Sequence, residues 1–276
     1  MSQTSDIVER VLSADPVDTQ YFMGRWHRDR ANLRGIRTEA RVFVSSHRRP
    51  RNKDIRKFVI IGRARSGTTL LRDLLDSHPD VRCDGEVLHS LVIDPIGYLE
   101  NLAAKSTSKA YGAKLLSYQM VQVQRFRDPA GFLGKLHDRD FKIIHLVRDT
   151  FDQTLSLMRA QASGHYHSTQ GRDKAALFQP DIEDFRRRYQ WNEQLLEYER
   201  HILKSVPYIT VDYEKDLLSS DQHERISNEI FSWIGVRDSQ VSTKVSKIIP
   251  KDPRVVIGNY EALREAVAKP ETALEE

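Results

Sequence analysis

Residues 58–75 read FVIIGRARSGTTLLRDLL, and this stretch decides the fold. Phe58, Val59, Ile60 and Ile61 form the continuous apolar run of a parallel strand buried on both faces, and Leu70, Leu71, Leu74 and Leu75 then recur at helical spacing. The order is strand, tight turn, helix. The turn, Gly62-Arg63-Ala64-Arg65-Ser66-Gly67-Thr68-Thr69, carries glycines that let backbone N–H groups face an anion, while the following helix presents its positive N-terminal end. The stretch predicts a phosphate cradle in an α/β fold, P-loop-like and three-layered, with a central parallel sheet flanked by helices.

Gly62 and Gly67 are spaced as in the opening of a nucleoside-triphosphatase loop, but Thr68 stands where that loop needs its lysine. A triphosphate would lose its main γ-phosphate cation. The positive charge lies inside the turn instead, at Arg63 and Arg65.

A second strand-to-helix junction repeats the arrangement. Phe141 to Val147 (FKIIHLV) reads as a strand, Arg148-Asp149 follows directly, and a helix from about Thr150 to Ala162 begins with Asp149 or Thr150 as its N-cap. A triphosphatase places a magnesium-binding carboxylate at such a strand end, whereas here an arginine arrives first, and arginine suits phosphate better than metal. Ser156, eight residues beyond, is within reach of the Arg148 side chain for sharing one anion. Val81 to Cys83 predicts a short strand ending at Asp84-Gly85-Glu86, which puts Glu86 where parallel sheets form their ligand crevice. His89 follows three residues later, near the same crevice. Pro207 to Tyr213 (PYITVDY) predicts a last strand closing on Tyr213-Glu214.

Elsewhere the reading is of scaffold. The expected organisation is a partly helical N-terminal extension over residues 1–55 and one α/β domain over 56–276, which includes a basic segment at 244–264. The extension has helical stretches near Asp6 to Leu12 and Thr19 to Leu33, a strand candidate at Arg37 to Val44, and a solvated linker at His47 to Arg51; it is also a candidate homodimer element. Helices are expected at Ile93 to Leu102, Asp181 to Lys204 and Gln222 to Ile234, the last stopped by Gly235, and a strand at Ala113 to Tyr118. The polar segment Ala162 to Gln170, with His165 and His167, is a candidate pocket cover and acceptor-binding loop. Lys247, Lys251 and Arg254, around Pro250 and Pro253, form a segment able to close over an anionic ligand.

The 276 residues, 39% hydrophobic, suffice for a large core. A net charge of +4, from 43 basic and 39 acidic residues, favours anionic ligands without requiring nucleic acid. The single cysteine, Cys83, excludes an intramolecular disulfide and a multi-cysteine zinc site, and the histidines lack regularly spaced partner ligands, so no metal is expected. No apolar run approaches the ~20 residues of a membrane span, and Met1 to Ser13 lacks a signal-like apolar core. The expectation is a soluble cytoplasmic protein.

Together these residues resemble sulfotransferases that use 3′-phosphoadenosine 5′-phosphosulfate (PAPS) and release 3′-phosphoadenosine 5′-phosphate (PAP). Arg65-Ser66-Gly67-Thr68-Thr69 is similar to that family's 5′-phosphosulfate loop, and Leu146-Val147-Arg148-Asp149 with Ser156 is similar to its 3′-phosphate motif. Tyr213-Glu214 is similar to the Tyr-Glu closing its last core strand near the adenine. SHPDVRCDGEVL, residues 77–88, most resembles the bacterial carbohydrate-type members that sulfate nodulation factors and glycolipids, which place a glutamate after the second strand as base. The resemblance implies in-line sulfuryl transfer without metal, with Arg65 stabilising the leaving oxygen and Glu86 taking the acceptor proton; His89, Asp84 and His167 are the other candidate bases. The implied acceptor is a carbohydrate, a glycolipid or a small natural-product alcohol or amine. The alternatives are a P-loop-type kinase or triphosphatase and a non-catalytic nucleotide-binding module.

Overall fold

The computed structural model describes residues 3–13, 25–47, 54–163, 177–245 and 253–268. The apolar run forms β1 (Arg56–Gly62), covered on both sides from Phe58 onward. It is the middle of a five-stranded sheet with β2 (Val81–Glu86), β3 (Ala110–Leu116), β4 (Phe141–Val147) and β5 (Tyr208–Asp212), in the order β2-β3-β1-β4-β5. Every pairing is parallel. Successive β1 side chains therefore serve two cores. Val59 and Ile61 pack with α1 (Gln3–Ser13), α2 (Arg25–His47), α4 (Pro95–Ala104), α5 (Pro129–His137) and α7 (Ile182–Ile202). Phe58 and Ile60 pack with α3 (Thr68–Asp76) and α8 (His223–Ile234). These are the three expected layers. A third cluster joins α6 (Thr150–Ser163), α7 and α9 (Tyr260–Ala268) through Phe151, Phe185 and Tyr260.

Local chemistry sets the element ends. Asp94, Asp128 and Asp181 cap α4, α5 and α7 by accepting the N–H of Gly97, Gly131 and Asp184, each cap a contribution of about 1 kcal/mol. Asp149 does the same for α6 through the N–H of Asp152, at 2.9 Å. Gly235 closes α8 in the left-handed region, φ 81°.

The strand candidate Arg37 to Val44 is corrected: it lies within α2. Its β-branched and aromatic residues read as strand-like, but Val42 and Ser46 are buried while Phe43 and Val44 are exposed, the four-residue recurrence of a helix. Ser46 Oγ donates to Asn101 Oδ1 of α4 at 2.8 Å. The extension is thus packed against the body, since Ile7, Val11 and Val42 share a core with Val59 and Ile61. The strand expected at Ala113 to Tyr118 begins earlier, at Ala110, and ends at Leu116, with Tyr118 in the helical turn beyond it. Helices α5 and α9 add to those expected from the sequence. Among the described residues no helix is long and apolar enough to cross a membrane.

Candidate functional site

The C-terminal ends of the five strands lie along one edge, and β1 and β4 are the neighbours from which the chain winds in opposite directions. Gly62 pairs with Leu146, so the turn after β1 and Arg148 after β4 start side by side. In the first turn Arg65 has φ 64° and Gly67 φ 105°, closely spaced departures that bend the chain into α3. Gly67 is required twice over, because a Cβ there would lie 2.5 Å from the Tyr213 ring. The start of α3 has no side-chain cap, unlike α4, α5 and α7. Its first N–H groups have no intrahelical acceptors.

The two turns are fastened together. Arg148 Nη1 donates to the Arg65 carbonyl at 2.9 Å, and the Arg148 guanidinium lies 4.2 Å from the Tyr213 ring centroid. Glu214 approaches from the other side, its Oε1 3.9 Å from Arg148 Nε and its Oε2 accepting the Asp149 N–H at 3.3 Å. Burial raises the Glu214 carboxyl above its ordinary value, partly opposed by that N–H and by Arg148. Arg148 Nε is buried without a hydrogen-bond partner. Arg65, rather than Arg148, donates to Ser156: Arg65 Nε is 3.3 Å from its Oγ. Arg65, Arg148 and Tyr213 thus pack together around the turn, while Ser156, expected to share an anion with Arg148, is buried at 3% exposure behind its bond to Arg65.

Two expected ligand-facing side chains are corrected. Arg63 has 0% exposure, and its guanidinium donates to Thr150 Oγ1, Asn192 O and Arg148 O. The reason is strand parity: Arg63 continues the alternation of Val59 and Ile61 toward α7. Ser66 is also buried, and its hydroxyl donates to the Arg63 carbonyl at 2.8 Å, closing the turn from within. Thr68 is buried at 3% exposure. Thr69 Oγ1 accepts from Lys114 Nζ at 3.0 Å.

Glu86 ends β2 within a set of donors. Gln119 Nε2 and Tyr118 OH donate to its Oε2 at 2.8 and 3.0 Å, and Lys114 Nζ is 3.4 Å from its Oε1. His89 Nδ1 lies 3.8 Å from Glu86 Oε2 and 3.1 Å from Tyr118 OH. Asp84 is engaged elsewhere, with Arg82 and with the Tyr111 hydroxyl. Lys114 links the carboxylate to the phosphate turn, and sequence reasoning missed it. The available signal was alternation: Ala110 packs on the α3 face of β3, and Gly112 and Lys114 follow at spacings of two. Burial pulls the Lys114 ammonium below its ordinary value, with Glu86 opposing.

Arg254, expected to close over the ligand, pairs with Glu261 at 2.9 Å and lies over the Tyr260 ring. His165, His167, Lys247 and Lys251 fall outside the described residues. Among the described residues no His, Cys, Asp and Glu side chains are grouped to hold a metal ion.

This region coincides with a family match. Residues 57–120 match the model of the sulfotransferase family. The matched segment runs from β1 through the turn after it and Glu86 to Met120. Among solved structures, a sulfotransferase from Alicyclobacillus acidocaldarius is 15% identical with a TM-score of 0.47, covering 80% of this chain and 98% of that one. Mouse sulfotransferase SULT7A1, complexed with PAP, is 12% identical with a TM-score of 0.41, covering 69% and 67%. Among curated proteins none matches.

Proposed function

We propose that this chain transfers a sulfuryl group from PAPS to a hydroxyl or amine of a carbohydrate, glycolipid or small natural-product acceptor. The observation that carries the reading is the 2.9 Å bond from Arg148 to the Arg65 carbonyl, which puts two cation-bearing turns on one surface. The sulfotransferase-family match supports it over residues 57–120.

PAPS supplies an activated sulfuryl group at its 5′ end and a phosphate at its 3′ position. The residues present fit such a ligand: an uncapped helix start, two arginines, and a buried Arg148 Nε without a hydrogen-bond partner. Arg65 and the N–H groups of Gly67, Thr68 and Thr69 hold the 5′ end, where a well-aimed donor to developing negative charge contributes ~3–4 kcal/mol. Arg148 holds the 3′-phosphate, the buried Ser156 braces Arg65 by accepting from its Nε, and Tyr213 flanks the nucleotide. The Glu86 carboxylate, oriented by Gln119 and Tyr118, takes the acceptor proton, a factor of about 10²–10⁴ in rate. Lys114 lies between Glu86 and Thr69 and supplies a positive charge between base and phosphate turn.

The test is transfer of labelled sulfate from PAPS across sugars, glycolipids and small hydroxyl or amino compounds, with a thermal-shift comparison of PAP against ATP plus magnesium. PAP at 100 times its dissociation constant stabilises by ~2.7 kcal/mol. Stabilisation by ATP and magnesium without stabilisation by PAP overturns the proposal in favour of a kinase or triphosphatase. PAP binding without any transfer favours a nucleotide-binding module.

A further inference from the structure

Arg63 is among the largest fully buried side chains of the protein, yet it belongs to the phosphate turn. Its partners are a hydroxyl and two carbonyls: Nη1 donates to Thr150 Oγ1 at 2.8 Å and to Asn192 O at 3.2 Å, and Nη2 donates to Arg148 O at 2.7 Å. Among the described residues no carboxylate forms an ion pair with it, and burial pulls its guanidinium down, with Glu199 and Glu193 opposing from a greater distance. A buried cation held only by neutral groups is costly, and a neutral side chain of similar size fills the same space without that cost.

The pattern of bonds shows what the charge is placed to do. The Arg63 side chain grips the backbone of residue 148, while the Arg148 side chain grips the backbone of residue 65. Gln153, one turn into α6, adds a third tie by donating to the Ala64 carbonyl at 2.7 Å. Thr150 and Asn192 extend the set to α6 and α7, and Asn192 Nδ2 donates onward to Thr154 Oγ1 at 3.0 Å. The turn after β1 and the turn after β4 are therefore fixed in register from underneath as well as at the surface. The planar fork matters, because one guanidinium reaches acceptors on a strand end and on two helices together, which an ammonium on a flexible stem does less well.

We propose that Arg63 is a positioning residue that sets the separation of the two phosphate turns, so that a ligand with two phosphorylated positions gains from both at once. This rests on the proposed PAPS reading and deepens it. Arg63 acts through Arg148, Thr150 and Asn192 and touches no ligand itself. Its effect falls on the benefit of having both phosphates, more than on either alone.

The experiment compares PAP with adenosine 5′-phosphate, which lacks the 3′-phosphate, by titration calorimetry on the full chain. The readout is the ratio of the two dissociation constants in wild type, Arg63→Met, Arg63→Lys and Thr150→Val, with circular dichroism to confirm folding. Wild type is expected to prefer PAP, Arg63→Met to reduce that ratio about tenfold, and Arg63→Lys to recover part of it. Thr150→Val keeps the cation but removes one acceptor, and gives a smaller reduction in the same direction; if Arg63→Met does not fold, the lysine and valine variants carry the readout. A general loss of stability weakens both nucleotides together and leaves the ratio alone. An unchanged ratio in the folded variants, beside a wild type that prefers PAP, overturns the inference while the donor reading stands. A wild type with no preference for PAP overturns both.

Discussion

Arg148 Nη1 donates to the backbone carbonyl of Arg65 at 2.9 Å, so the cation at the end of β4 is fastened to the turn that follows β1. Neither residue alone distinguishes a ligand site from an ordinary strand end. Their bond converts two separate sequence features into one surface, the one on which the proposed nucleotide is expected to reach both turns.

Removing that cation tests the surface directly. Arg148→Ala deletes the bond to Arg65, the stack on Tyr213 and the buried Nε. A hydrogen bond involving a charged group contributes about 1.5–3 kcal/mol, so PAP binding is expected to weaken by roughly 10- to 100-fold. Adenosine 5′-phosphate is expected to weaken less, because it has no 3′-phosphate for the Arg148 guanidinium to hold. Calorimetric titration measures both, and equal weakening of the two nucleotides would falsify the assignment of Arg148 to the 3′-phosphate.

The turn itself is tested by Gly67→Ala. The substitution meets a backbone at φ 105° and puts a Cβ 2.5 Å from the Tyr213 ring. Strain at an incompatible φ costs more than the ~0.4–1 kcal/mol that alanine gains where it fits. The denaturation midpoint is expected to fall at unchanged m-value, with PAP affinity reduced as the turn opens away from Tyr213. A variant as stable as wild type means that Tyr213 moves freely and does not brace the turn.

Much of this candidate site is legible in the sequence because β1, buried on both faces from Phe58 onward, is an unbroken apolar run that ends abruptly at the turn bearing Arg65. Arg148 directly follows the largely buried β4, whereas Glu86 ends and Tyr213 follows strands, β2 and β5, that are partly exposed. The sequence misleads where side-chain direction matters more than position. Arg63 reads as a ligand cation, although two-residue alternation from Val59 and Ile61 carries it inward to Asn192. Lys114 is inconspicuous inside AKLLSY because a lysine in an apolar strand is read against its neighbours, and its partners Thr69 and Glu86 are 45 and 28 residues away. In α2, the run Arg-Val-Phe-Val (41–44) has strand-forming residues, and packing against α4 holds it as helix.

Glu86→Gln separates chemistry from binding. The amide keeps the size of the carboxylate, and Tyr118 can still donate to its carbonyl oxygen, but it cannot take a proton at neutral pH. Transfer is expected to fall by about 10²–10⁴ with PAP affinity nearly unchanged. Retention of the full rate would move the base to His89, which lies 3.8 Å from Glu86 and 3.1 Å from the Tyr118 hydroxyl.

Lys114 gives a prediction with a definite pH sign. Burial lowers its folded-state value below the ordinary 10.5, and Glu86 only partly opposes this. Below the lowered value the ammonium is charged in both folded and unfolded chains, and the folded state bears the cost of burying it. As pH rises through that value toward 10.5, the folded chain sheds the proton first and the cost disappears, so this group's contribution to stability improves with pH over that window. Transfer moves the opposite way, because deprotonation removes the positive charge between Glu86 and Thr69. The wild-type rate is therefore expected to decline on the alkaline side before an ordinary lysine titrates. Lys114→Met should be slower at neutral pH and should lack that decline. Rate profiles of the two proteins from neutral pH to 10.5, at saturating donor, decide it: an identical alkaline limb in both means that another group loses the proton and that Lys114 is only part of the packing beneath Glu86.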